Sequence, residues 1–250
     1  MLPWELLGTA QAPEGGSELR LYRRGGEFSI RADGLELMNS RVHSSEEALA
    51  QLACERINDC PRPRVLVGGL GMGFTLAAAL ICLDELAAVV VSERVPEVVE
   101  WNRGPLGELA QHPLRDSRVT VREIDVARLI ASERNAYDAI LLDVDNGPTS
   151  LPGARNEKVY DRAGVEAAAA ALRPNGVLAV WSANPDPPFS KRLSDAGFAV
   201  EEIAVRAWGY RSGTRHTIWV AQQSPARGLT PPIGSHLTEG LLIGPRKNPA

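Results

Sequence analysis

RVLVGGLGMGF, residues 64–74, decides the fold. Its first half, RVLV, is a short apolar run rich in β-branched residues and reads as a buried strand. Its second half carries four glycines within six residues, at 68, 69, 71 and 73. Without a Cβ the chain can turn there with positive φ and let a ligand approach its amides. A helix starting near Phe74 follows, and its free N-terminal N–H groups favour polar or anionic ligand atoms.

Outward from that turn, strand-like runs alternate with helical stretches: RVLVGG, AAVVVS, RVTVRE, DAILLDVD, GVLAVWS, FAVEEIAVRA and HTIWVAQ. Such alternation predicts a Rossmann-like α/β fold, a doubly wound, mostly parallel seven-stranded sheet covered by helices. The last two runs are separated by too few residues for a crossover helix, so they are expected to pair antiparallel, giving an antiparallel edge strand. Upstream, LRLYRR, EFSIRA and LELMNS are divided by Gly25-Gly26 and Asp33-Gly34, which read as tight hairpins of a small N-terminal β-meander. Ser44-Ser45-Glu46-Glu47 then offers a capping box from Ser44 to Glu47 at the head of a helix of about three to four turns. The expected organisation is residues 1–60 as meander plus helix, 61–222 as nucleoside-binding domain and 223–250 as a Pro- and Gly-rich tail in which Leu241, Leu242 and Ile243 stand out.

Composition narrows the class. The chain has 250 residues, 44% of them hydrophobic and 23% charged, enough for a full core. Its formal charge is −4 and it has no dense Lys/Arg run, which argues against a nucleic-acid partner. Three cysteines, at 54, 60 and 82, form no C-x-x-C, so neither a disulfide framework nor a zinc site is expected. No export signal or membrane span is indicated, and a cytoplasmic location is expected. His43 lies before a helix and His216 opens the last strand run; both read as structural.

In a doubly wound sheet the ligand sits beyond the carboxyl ends of the strands. The first ends in Gly68, Gly69, Gly71, Met72 and Gly73. Twenty residues after Gly73, the second ends at Glu93, placed to accept both ribose hydroxyls. The third ends at Asp125, which can accept from an adenine amine or cap the helix that begins at Val126. The fourth ends at Asp143-Val144-Asp145-Asn146-Gly147-Pro148, two carboxylates beyond the nucleoside. With Arg94 and Val126 beside the acids, these residues outline a nucleoside site whose second half is acidic. A dinucleotide site is the competing reading of the glycines, but an acid ending each of strands two to four resembles the class I S-adenosylmethionine-dependent methyltransferase fold.

The order of motifs narrows the likeness. MNSRVHSSEEALAQLA, VLVGGLGMGF, VVVSERVPEVVEWNR, REIDVARLIA, YDAILLDVDNGP and ALRPNGVLAVWS, spread over residues 18–222, resemble the spermidine synthase (polyamine aminopropyltransferase) family. That resemblance implies that Glu93 and Asp125 hold the nucleoside, that Asp143 assists deprotonation of the attacking amine, and that the protein is a homodimer. The departures also matter. The family's G-G-G-D-G-G turn has Met72 in place of its aspartate, its D-S-S-D-P-x-G-P loop is shortened, and its Tyr-Gln pair appears as Ser45-Glu46.

The missing charge carries an expectation. A loop aspartate attracts the ammonium of decarboxylated S-adenosylmethionine and repels the carboxylate of the intact molecule, on the order of 4 kcal/mol at about 4 Å before desolvation. With Met72 neutral, S-adenosyl-L-methionine is expected as the cofactor, Met72 packing beside its methionine arm. The expected activity is methyl transfer to a small, amine-bearing acceptor with no metal. Asp143 and Asp145 are the expected catalytic carboxylates. Glu46, Glu47, Asp145 and Trp181 are the expected substrate-binding residues, Trp181 and Trp208 forming an apolar or cation-binding wall. The alternatives are aminopropyl transfer from decarboxylated S-adenosylmethionine and a non-catalytic nucleoside-binding protein.

Overall fold

The computed structural model describes residues 2–13, 16–144, 147–148, 157–207 and 214–223. Strands β1 (Glu5–Gln11), β2 (Glu18–Arg24), β3 (Glu27–Ala32) and β4 (Leu35–Asn39) form an antiparallel sheet in chain order. At the β3–β4 turn both Asp33 and Gly34 take positive φ, 51° and 81°, as a two-residue hairpin of right-handed strands requires. β1 adds a fourth strand to the three legible in the sequence. Gly8 and a register shift between Leu6 and Gly8 break its alternation, which is why it does not read as a strand.

Helix α1 (Ser44–Glu55) follows, then β5 (Arg64–Gly68), α2 (Phe74–Cys82), β6 (Ala88–Ser92), α3 (Pro96–Arg103), β7 (Val119–Arg122), α4 (Val126–Ser132) and β8 (Tyr137–Leu142). The rest comprises α5 (Glu157–Tyr160), α6 (Arg162–Ala171), β9 (Leu172–Ser182), α7 (Pro187–Asp195), β10 (Phe198–Arg206) and β11 (Arg215–Gln223). These build a seven-stranded sheet in the order β10-β11-β9-β8-β5-β6-β7. β11 runs antiparallel to both neighbours, so the antiparallel strand is inserted one place in from the edge and β10 is the edge. The chain leaves β5 first towards β7 and then returns to β8, so the switch point lies between β5 and β8.

Alternation along the strands feeds two cores. Val65 and Val67 of β5 pack on one face with Leu49, Ala53, Leu76 and Val99 of α1, α2 and α3. Leu66 and Ile140 pack on the other with Ile130, Val165 and Leu193 of α4, α6 and α7. Each such fully buried side chain stabilises by about 1.5–3 kcal/mol relative to exposure. Parallel register sets the site: Gly68 pairs with Ser92 on one side and Leu142 on the other. Glu93 and Asp143, each one residue further on, therefore reach the same level as the glycine turn.

The capping box at α1 does not form. Ser44 is already inside the helix, and His43 precedes it with no side-chain cap bond. The N–H groups of Glu46 and Glu47 instead donate to the His43 carbonyl at 3.1 Å. This frees Ser45 and Glu46 for other partners.

Candidate functional site

A cleft of about 180 Å³ lies between the carboxyl ends of the main sheet and the meander. Gly69, Gly71, Glu93, Arg94, Asp125, Val126 and Asp143 line it from below, and Leu19, Ile30, Leu37 and Met38 from above. The glycine turn is required by space. A Cβ on Gly69, whose φ is 88°, would stand 2.3 Å from the Asp143 carbonyl oxygen. Gly73, with φ 86°, caps α2 and abuts the side chain of Asn102. Gly68 packs beneath Val126.

Glu93 is held by the backbone. Its Oε2 accepts from Leu70 N–H at 3.0 Å and its Oε1 from Val95 N–H at 2.9 Å. Burial pushes this carboxyl above its usual range, against the pull of those amides and of Arg94. Both oxygens keep lone pairs for further donors, so the group suits a vicinal diol. Asp125 accepts from Arg128 N–H at 3.2 Å, capping α4, and lies 3.6 Å from the Arg94 guanidinium. Asn102 Nδ2 donates to the Gly71 carbonyl and to the Val98 carbonyl, both at 2.9 Å, and so ties the glycine turn to α3. Nothing in the WNR triplet of the sequence marks that brace. Met38, which approaches Gly71 from β4, is equally unmarked.

Met72 lies elsewhere. It is 3% exposed, belongs to the core shared with α1 and α2, and is not among the residues lining the cleft. The turn is thus neutral at this position, and the described surface beside Gly71 is the thioether of Met38.

Around Asp143 the groups are polar and titratable. Asp143 Oδ2 accepts from Thr75 Oγ1 of α2 at 2.5 Å. Burial raises its carboxyl to about 6, opposed by the Thr75 bond. Glu46, from the first turn of α1, is raised to about 7, first by burial and then by the neighbouring Asp143 charge. Both groups therefore hold their protons to higher pH than an ordinary carboxyl, and ionisation of one disfavours ionisation of the other. Ser45 Oγ lies 2.7 Å from Glu46 Oε2 and 2.9 Å from His216 Nδ1. The Trp181 ring meets His216 edge-on at 4.7 Å, and its buried indole N–H has no partner among the described residues. Glu47 points away, with its Oε1 2.8 Å from His43 Nδ1, and lines a separate surface groove. Asp145 and Trp208 lie outside the described residues.

Sequence reading therefore locates Glu93, Arg94, Asp125, Val126 and Asp143 at one cleft and Glu46 with Trp181 beyond it. It misses Thr75, whose hydroxyl is placed by the helix start, and His216, which only the insertion of β11 beside β9 brings to Ser45. Among the described residues lining the cleft, Arg94 is the only cation.

No protein-family model and no curated protein sequence matches the chain. Solved structures do. The spermidine synthase of Thermotoga maritima superposes with a TM-score of 0.70 at 19% identity over 88% of this chain and 73% of that one. A spermidine synthase in complex with the transition-state analogue AdoDATO gives 0.69 at 18% identity, over 88% and 72%. A precorrin-6y methyltransferase from Geobacter metallireducens gives 0.51 at 16% identity, over 70% and 87%. The chain shares the Rossmann-like methyltransferase fold of these proteins, and in this chain a small antiparallel sheet precedes it.

Proposed function

We propose that the chain is a transferase that moves the aminopropyl group of decarboxylated S-adenosylmethionine to a small amine. One observation carries this reading: Asp143 lines the cleft with Glu46 close enough to act on its charge, whereas the one cation among the described lining residues, Arg94, stands beside Asp125. Such an acidic lining attracts an ammonium and, among the described residues, offers a carboxylate no side-chain counter-charge beyond the Arg94 beside Asp125. The sulfonium supplies an activated carbon for attack by an amine. Glu93 holds the ribose hydroxyls, and Asp125 and Arg94 border the adenine. Asp143, aimed by Thr75, accepts the proton that the attacking ammonium must lose. The Trp181 indole, with its free N–H, borders the acceptor.

A second reading is methyl transfer from intact S-adenosyl-L-methionine. Neutral Met72, standing where the resembling family has an aspartate, favours it, and the amides at the start of α2 can take a carboxylate. Calorimetric titration with the two sulfonium compounds, followed by product analysis with putrescine and other small amines, separates the readings. Tighter binding of the decarboxylated form with aminopropylated product is the expected result. Preference for the intact form with a methylated amine would replace it by the second reading, and binding without product from either would leave a nucleoside-binding protein.

A further inference from the structure

Ser45 is fully buried on the first turn of α1, and its single hydroxyl stands between two titratable groups from distant parts of the chain. One O–H cannot donate to both Glu46 Oε2 and His216 Nδ1. Two arrangements satisfy the contacts. With Glu46 ionised, Ser45 donates to Oε2 and the Nδ1–H of His216 donates to Ser45. With Glu46 protonated, its O–H donates to Ser45, Ser45 donates to Nδ1, and the ring proton resides on Nε2.

Passage between them moves protons and breaks no other bond. The Glu46 proton goes to Ser45 Oγ as the Ser45 proton goes to His216 Nδ1, giving a carboxylate and an imidazolium, which then releases its Nε2 proton to solvent. His216 is half-buried at the start of β11, whereas Glu46 is near enough to Asp143 to feel its charge. The groups facing Glu46 are Asp143 from the end of β8, Glu47 and Ser45 from its own helix and, through Ser45, His216. Around His216 stand Ser45 and the edge of Trp181. Among the described residues no Lys or Arg pairs with either acid.

We propose that Ser45 and His216 form the outlet through which the proton taken from the acceptor leaves the Glu46–Asp143 pair. Ser45 and His216 act as positioning and relay residues, and their role rests on the amine-transfer reading above. The ligand-free protein tests the relay separately. Histidine ring ¹⁵N shifts are followed from about pH 5 to about pH 9 in the full chain, with His216 assigned by its loss in His216→Asn. The expected result is a change of His216 from the Nε2–H towards the Nδ1–H form as Glu46 loses its proton, abolished in both Glu46→Gln and Ser45→Ala. An unchanged tautomer throughout, or a transition that survives Glu46→Gln, overturns the relay whether or not transfer is ever observed. If Ser45→Ala fails to fold, Glu46→Gln decides alone.

Where transfer is observed, His216→Asn keeps a hydrogen-bonding atom towards Ser45 but cannot take up and release a proton near neutral pH. Its kcat should fall roughly tenfold, less than loss of a direct general base, with the acceptor KM unchanged and the rate restored by imidazole buffer. Unaltered kcat and pH profile would overturn the relay and leave the transferase reading standing.

Discussion

The two halves of the site are built in opposite ways. In the half proposed to hold the nucleoside, three polar side chains are committed to the backbone: Glu93 to two amides, Asp125 to a helix start, Asn102 to two carbonyls. In the acceptor half the charged groups meet mainly one another, with Asp143 beside Glu46 and only the hydroxyls of Thr75 and Ser45 to hold them. A backbone-held carboxylate is fixed in place by its amide donors; a carboxylate facing another carboxylate is poised to take up and release a proton. The first half is suited to holding, the second to chemistry.

The sharpest way to break this comparison is Asp143→Asn. It should lower turnover by about 10²- to 10⁴-fold, the usual weight of a general base, while calorimetric affinity for the nucleoside changes by less than about tenfold; equal losses in both would join the two halves into one. Gly69→Ala should cost at least about 3 kcal/mol of unfolding free energy in denaturant titration, because it combines a positive φ with a backbone clash. Glu93→Gln turns an amide donor towards a backbone donor, and nucleoside affinity should fall by about 1–3 kcal/mol, with kcat at saturation little changed.

Smaller effects sharpen the acceptor side. Glu46 and Asp143 titrate higher in the folded chain, about 7 and about 6, than their ordinary 4.5 and 3.8. The native state therefore binds more protons between those values, and this stability is present at acid pH and lost as pH rises through about 7. Relative to the native chain, Glu46→Gln should gain on the order of 1–2 kcal/mol in unfolding free energy from about pH 5 to about pH 8, with the pair's partial solvent contact limiting the gain. Smallest of all, Arg94→Ala should alter nucleoside affinity by less than about 1 kcal/mol, since the Arg94–Asp125 pair is at 3.6 Å and partly exposed.

Which parts were legible follows from the same contrast. Parallel strands have a fixed register, so residues just past the strand ends were readable as neighbours of the glycine turn: Glu93 and Asp143 directly follow β6 and β8, and Asp125 follows β7 within one short turn. Alternation and length gave the sheet, but not β1, whose Gly8 lies against Trp101 and whose register is broken. The capping box at Ser44 was a local pattern overruled by a helix that starts one residue early. Met72 read as a ligand contact because it sits between two glycines, but the turn directs it inward. The Ser45–His216 contact joins residues 171 apart in the chain, and no local periodicity encodes such a meeting.

The cleft has its ceiling in one sheet and its floor in another. Leu19, Ile30, Leu37 and Met38 face Gly69, Glu93 and Val126 across it. Any occupant is a mortar between two layers that otherwise adhere through side-chain packing, such as Trp101 on Gly8. By mass action an occupant at a hundred times its dissociation constant adds about 2.7 kcal/mol to the folded state. That gain falls on the seam between the layers, so the heat tolerance of the meander should follow the supply of nucleoside more closely than that of the main sheet.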